Sequence, residues 1–347
     1  MPNARSPKTL LVPIALDSLS SPLDRPIALV HEAVALLLLP CGPRPHTSAK
    51  CLALKIIISC PELAAGAADR WHEMQSVLAA LYAAAGKAAH ERDYPVLDVN
   101  VIFEEWCGYD PWLGDDDEDG VAVVGYAEDQ AALALVNTRR AKDRLSHLHF
   151  IPVPEPDIAT DSSSPADAGA APASPTRSDQ PARSYDNVAM GGTFDHLHGG
   201  HKILLTAAVW LTRQRLVCGV MDLDPPRLAK KKGAKYIESL DTRIDTVRRF
   251  LNLIRREKLQ YDVVPIADEY GPTRTDPNIQ AIVGSLETKR GCEAVNALRA
   301  ENGLCALDVF TIDVISSSSA KVNLSAMEDK ISSTAIRQYL ERLDASS

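Results

Sequence analysis

From Tyr185 onward the chain alternates short apolar runs with amphipathic stretches, and that alternation restricts the fold more than any other feature. Val188 to Met190 reads as a short strand leading into Gly191-Gly192. A helix is expected over 201–213, a strand over 216–221 and a helix over 242–257. Strands follow over 261–266 and 281–283, then a helix over 287–301, a strand over 309–315 and a last helix over 333–343. Strands separated by helices pair in parallel, because each helix returns the chain to the same end of the sheet. The expectation is a doubly wound parallel α/β sheet, whose ligands sit beyond the carboxyl ends of its strands.

Two other regions precede this one. The 347 residues suit two domains. Lys55 to Ser59 reads as a buried strand, Ala68 to Ala89 as an Ala-rich helix, and Val96 to Phe103 as a strand. Residues 1–150 are therefore expected to form a smaller α/β domain, of unknown role and without evident chemistry. The stretch from Glu155 to Ser184 is dense in Ser, Pro, Ala and Asp. It holds too little apolar surface to offset its ordering entropy. A disordered linker is expected over 151–184, with the main domain over 185–347.

Bulk properties exclude some classes. A net charge of −9 argues against non-specific nucleic-acid binding, which needs basic surface. A local basic pocket for a small anion is compatible with it. The seven cysteines contain no C-x-x-C pair, which suits a reduced, cytoplasmic protein. The apolar run from Ala33 to Leu39 is too short to span a bilayer. Arg5 and Lys8, interleaved with Pro2, Pro7 and Pro13, form no convincing signal peptide.

The chemistry concentrates in Met190-Gly-Gly-Thr-Phe-Asp-His-Leu-His-Gly-Gly-His201, the first strand-to-helix loop. Gly191 and Gly192 allow a tight turn and close approach to a ligand. Gly199 and Gly200 leave room against the next helix. A helix starting at His201 points free N–H groups and a positive dipole end at the loop. His198 and His201 can then project into one pocket. A zinc site is one alternative for His196, His198 and His201, but further ligands at suitable spacing are not evident. Surface histidines in a turn are the other, and they fit poorly with two glycine pairs at one junction.

The phrase from Val188 to Leu205 resembles the phosphopantetheine adenylyltransferases, especially the monofunctional eukaryotic type, within the H-x-G-H nucleotidyltransferase superfamily. Ile331-Ser-Ser-Thr-Ala-Ile-Arg337 resembles the family's second signature. Tyr270-Gly-Pro-Thr-Arg-Thr-Asp-Pro277 and the run from Lys289-Arg-Gly-Cys292 to Arg299-Ala-Glu301 resemble its eukaryotic members. The resemblance covers about 185–343 and implies a Rossmann-like nucleotidyltransferase fold. It also implies transfer of AMP from ATP to 4′-phosphopantetheine, giving dephospho-CoA and pyrophosphate.

Site roles follow from the resemblance. Gly192, Thr193, His198 and His201 would face the ATP phosphates, and Thr193 would also help hold the acceptor phosphate. A phosphate-gripping lysine belongs in the loop holding Lys230, Lys231 and Lys232; spacing to Arg243 favours Lys231, with Lys230 next and a solvated basic loop as the plain alternative. Arg290 matches an arginine near the acceptor, and Glu301 a glutamate on the adenosine side. Glu293 stands where the bacterial pattern has a second arginine; Arg299 is a candidate ATP contact or a surface helix arginine. Ser332, Ser333 and Thr334 offer a phosphate cradle, an ordinary N-cap, or both. Asp195 would organise the loop or assist a metal.

Catalysis would need no protein nucleophile and no resident metal. His198, His201 and Lys231 would stabilise charge, and Mg²⁺ would accompany ATP. No P-loop for a fused dephospho-CoA kinase is found, so one reaction is expected. Residues 1–150 are a candidate docking surface for other CoA-pathway enzymes. Other adenylyl- or cytidylyltransferases, or a non-catalytic nucleotide-binding scaffold, are the competing readings.

Overall fold

The computed structural model describes residues 7–39, 52–65, 68–113, 120–157, 184–222, 230–256, 259–285, 288–312 and 332–346. The expected linker lies mostly outside them, as do the acidic run Asp115 to Asp119, the serines Ser316 to Ser319, and Ile331.

Two five-stranded sheets are present. The first holds β1 (Thr9–Ala15), β2 (Ala53–Ser59), β3 (Asp98–Phe103), β4 (Val121–Gly125) and β5 (His149–Pro152), in the order β3-β2-β1-β4-β5. Its helices are α1 (Asp24–Leu37), α2 (Trp71–His90) and α3 (Asp129–Lys142). The second sheet holds β6 (Tyr185–Gly192), β7 (Thr212–Met221), β8 (Gln260–Ile266), β9 (Ala281–Ser285) and β10 (Asp308–Ile312), in the order β10-β9-β6-β7-β8. Its helices are α4 (Gly199–Leu211), α5 (Leu240–Ile254), α6 (Lys289–Glu301) and α7 (Ser333–Ser346). Every strand pairing is parallel.

Local sequence explains the elements. In β7, Leu216, Val217, Cys218 and Val220 are all buried, as befits a central parallel strand covered on both faces. In α5, Ile244, Val247, Leu251 and Ile254 form one buried stripe at helical spacing. The Ser239 hydroxyl caps that helix, accepting from the Thr242 N–H at 3.2 Å. From Leu205 to Leu211, by contrast, every residue of α4 is buried. A helix apolar on all sides belongs between two layers, and α4 packs against α2 as well as its own sheet. One hydrophobic cluster accordingly runs through both halves, joining Val12 and Leu78 to Val188 and Val209.

Some boundaries differ from the sequence reading. The sequence reading assigns no strand before Lys55, whereas β1 spans Thr9–Ala15. Its pairing with β4 covers only Thr9 to Leu11, so Pro13 lies beyond that ladder. α4 ends at Leu211 and passes directly into β7; the Thr212 hydroxyl donates to the Ala208 carbonyl at 2.7 Å. β5 extends the first sheet to Pro152, into the stretch assigned to the linker. No described helix is long and apolar enough to cross a membrane.

Candidate active site

In the second sheet the strand order reverses at β6, between β7 and β9. The crevice at such a reversal, outside the carboxyl ends of the strands, is where α/β sheets take ligands. The loop 193–198 leaves β6 there, and Arg290 stands at the start of α6 after β9.

The glycines of this loop act differently from expectation. Gly191 and Gly192 lie within β6, and the turn itself is made by Phe194 and His196, with φ of 52° and 45°. Phe194 is fully buried, and a Cβ on Gly192 would meet its ring at 3.1 Å. Gly200 is needed for the histidines, since a Cβ there would stand 3.2 Å from the His198 ring.

Asp195 organises the loop. It is 1% exposed, and its carboxylate accepts from the Glu238 N–H at 2.9 Å and from the Arg337 guanidinium. Its carbonyl accepts from the Ser333 hydroxyl at 2.7 Å, which seats the start of α7 on the loop. Arg337 also donates to the Lys232 carbonyl at 2.8 Å, and Arg243 donates to the carbonyls of Thr193 and Met221 at 2.7 and 2.8 Å. One buried ion pair thus ties together three chain segments that are distant in sequence. Breaking a pair of this kind leaves an uncompensated buried charge.

The three histidines diverge. His196 bonds to the Tyr236 carbonyl at 2.7 Å through Nε2. His198 and His201 lie together, their ring centroids 3.9 Å apart. Among the described residues neither imidazole has a hydrogen-bond partner, and the Nδ1 atom of each is buried without one. Burial lowers both pKa values, His198 well below the ordinary value and His201 to about 4. The Asp195 charge opposes the shift at His201, while Lys231 and Lys202 add to it. Both rings are therefore neutral near pH 7, with a ring N–H to offer a substrate oxygen.

Lys231 is half-buried and Lys230 and Lys232 are exposed. Burial lowers the Lys231 pKa, Arg337 and Arg243 add to that, and Asp195 works against it. Such an excess of cations favours an anion. The Ser332 hydroxyl caps α7 by accepting from the Ala335 N–H at 3.2 Å, and the Thr334 hydroxyl accepts from Arg337 at 3.1 Å. All three hydroxyls of this segment have protein partners, so the backbone N–H groups of the helix start are what a phosphate would meet.

Not every expected residue comes to this place. Thr193, His198, His201, Lys231 and Ser332 to Thr334 converge, and Arg290 is exposed in the first turn of α6. Glu301 is exposed at the far end of α6, about 16 Å along the helix from Arg290 at 1.5 Å per residue. Arg299 is neither a nucleotide contact nor a surface arginine. It is fully buried and donates to the carbonyls of Cys305, Thr273, Asp276 and Ile279. It thereby holds the Tyr270-Gly-Pro segment in place.

Residues 189–339 match the cytidylyltransferase-like family. Over 158 residues the chain is 34% identical to a phosphopantetheine adenylyltransferase of Pyrobaculum aerophilum, covering 46% of this chain and 94% of that protein. The chain belongs to the nucleotidyltransferase superfamily. The chain is also 39% identical over 160 residues to the phosphopantetheine adenylyltransferase of Saccharomyces cerevisiae. That match covers 46% of this chain and 50% of the yeast protein, so the chain spans about half the length of that relative. An uncharacterized protein of Schizosaccharomyces pombe is 31% identical over 298 residues, or 84% of this chain and 87% of that protein. Its match therefore takes in the first half too.

Proposed function

We propose that the protein is a pantetheine-phosphate adenylyltransferase of coenzyme A biosynthesis. The observation that carries this reading is the meeting of paired neutral imidazoles, Lys231 and the start of α7 on one loop at the reversal of the sheet. An oxygen of the 4′-phosphopantetheine phosphate attacks the α-phosphorus of ATP. The bond from that phosphorus to the oxygen bridging to the β-phosphate breaks, and pyrophosphate leaves with the electron pair. The product is dephospho-CoA.

His198 and His201 donate N–H groups to the α-phosphate oxygens, on which charge builds. Lys231 supplies charge to the transferring group, while Thr193 and Arg290 hold the acceptor. The N–H groups at Ser332 to Thr334 take ATP phosphate oxygens. Positioning and charge stabilisation suffice for such a transfer. Asp195 is engaged by Arg337, and Mg²⁺ as the counter-ion of the nucleotide would neutralise charge on its phosphates.

The test is pyrophosphate release with ATP against CTP, each with 4′-phosphopantetheine and with other phosphorylated acceptors. Turnover is expected with ATP and phosphopantetheine. Turnover with CTP and none with ATP would leave the superfamily in place and remove this reading. The first half as a docking surface for other enzymes of the pathway is tested by co-purification with and without residues 1–150.

A further inference from the structure

Between β1 and β5, and again between β6 and β10, the described strands and helices follow in the same succession: strand, helix, strand, helix, strand, strand, helix, strand, with 3₁₀ turns before the second helix (two in the first half, one in the second) and one before the fourth strand. Renumbered from its own first strand, each sheet has the order 3-2-1-4-5. The likeness reaches individual side chains. Asn137 in α3 exchanges two hydrogen bonds with the backbone of Leu148, and Asn296 in α6 does the same with Leu307. Three residues after each asparagine stands a buried arginine. Arg140 donates to the Ser146 and Trp112 carbonyls, and Arg299 to those of Cys305 and Thr273. Trp112 and Thr273 each follow the proline of a Tyr-x-Pro, at Tyr109-Asp-Pro111 and Tyr270-Gly-Pro272. Matching topology arises readily in α/β proteins. A matching asparagine, arginine and Tyr-x-Pro, bonded alike, points to repetition of one unit.

The two carboxyl ends have opposite character. The loop after β1, Leu16-Asp-Ser-Leu-Ser-Ser-Pro-Leu23, contains no His, Lys or Arg. Arg25 in the first turn of α1 is bound by Glu128 and Glu155. Asp129 lies within reach of Arg25, Glu105 accepts from Ser59 and Cys60 at the end of β2, and burial pushes the carboxyl pKa of Asp129 upward. A polyphosphate would be repelled there.

What the first half does contact is the helix that carries His201. Lys202 is 3% exposed, and its ammonium donates to Asp98 Oδ1 at 2.5 Å, the Val99 carbonyl at 2.7 Å and Asn100 Oδ1 at 3.1 Å. All three acceptors lie on β3, the edge strand of the first sheet, whose outer side has no strand partner among the described residues. One turn earlier, Gly199 lies so close to α2 that a Cβ would stand 3.1 Å from the Tyr82 Cβ. At the other end of α4, Trp210 packs on Trp106 at 4.8 Å. Three N–H donors meeting three acceptors leave the ammonium little freedom.

We propose that the chain is a tandem duplication whose first copy has lost its ligand end and serves as the seat of the catalytic helix, with Asp98 and Asn100 as positioning residues acting through Lys202. This rests on the reading of α4 as the helix that presents His198 and His201 to substrate. The test compares Lys202→Met, Lys202→Arg and Asp98→Asn in the full chain, by steady-state pyrophosphate release and by the histidine C2–H resonances in NMR. Lys202→Met is expected to lower kcat about 10- to 100-fold with the KM for ATP little changed. Lys202→Arg should recover part of that loss, and Asp98→Asn, which keeps an acceptor in place, should lie between. The His198 and His201 resonances should shift in folded Lys202→Met and Asp98→Asn. Asp93→Asn, which alters only the exposed pair with Arg342, should leave both measurements at wild-type values. Wild-type kcat and unmoved resonances in folded Lys202→Met and Asp98→Asn overturn the proposal. If the wild-type chain releases no pyrophosphate, the transfer reading fails separately, and the resonances alone decide whether β3 seats the helix.

Discussion

The two sheets of this protein share strand order and even an asparagine paired with a buried arginine, yet only one has an end suited to a phosphate. After β6 the loop carries Thr193, His198 and His201, with Lys231, Arg243 and Arg337 nearby. After β1 the corresponding loop carries serines and leucines among carboxylates. The scaffold is therefore indifferent to the chemistry. Packing constrains the strands and helices, whereas the loops at the carboxyl ends are free to change charge.

The sharpest way to break this comparison is His201→Ala. Loss of one donor to developing phosphate charge should cut turnover about 10²- to 10³-fold. Circular dichroism and the melting temperature should stay near wild type; near-normal turnover would sink the mechanism. Next comes Asp195→Ala, which strands Arg337 in a buried site. About 3–5 kcal/mol of stability should be lost in urea unfolding, and a loss under 1 kcal/mol would show that the pair does not hold the loop.

The matched arginines give a finer test. Arg299→Met orphans four carbonyls and Arg140→Met two. Each should cost about 1.5–3 kcal/mol or more, with Arg299 the more costly; equal or reversed costs would contradict the geometry. The effect of pH is smaller. His201 has a folded pKa of about 4, below its unfolded value near 6.5. The unfolded chain therefore binds the extra proton between those values, and stability should fall as pH drops from about 6.5 to 4. His201→Gln should flatten that limb in denaturation curves recorded across the range. Smallest of all is Glu128→Gln in the first half, expected to leave turnover and the KM for ATP within about twofold, as for a surface pair. A clear change in that KM would give the first half a part in nucleotide binding.

Much of the second half was legible before any coordinates. Alternating apolar runs pointed to the parallel sheet, and the Gly-rich loop with His198 and His201 stood where such sheets take ligands. Lys231 was the favoured lysine, and it is the half-buried one of the three. Other expectations failed for definite reasons. Arg299 looked like a free cation because its exposure depends on where the 270–280 segment folds back. β1 went unread, and its Pro13 stands beyond the ladder to β4 while still paired with Ile57 of β2.

What the sequence determined by itself is the alternation of elements and the residue types available at each strand end. Those depend on neighbours close along the chain. Only the tertiary structure decided that Asp195, Ser333 and Arg337 meet, that two imidazoles lie together with no hydrogen-bond partner among the described residues, and that Lys202 reaches β3 of the other half. The contacts of Asp195 and of Lys202 join segments more than 100 residues apart, and their strength depends on the water excluded when the folded chain closes around them.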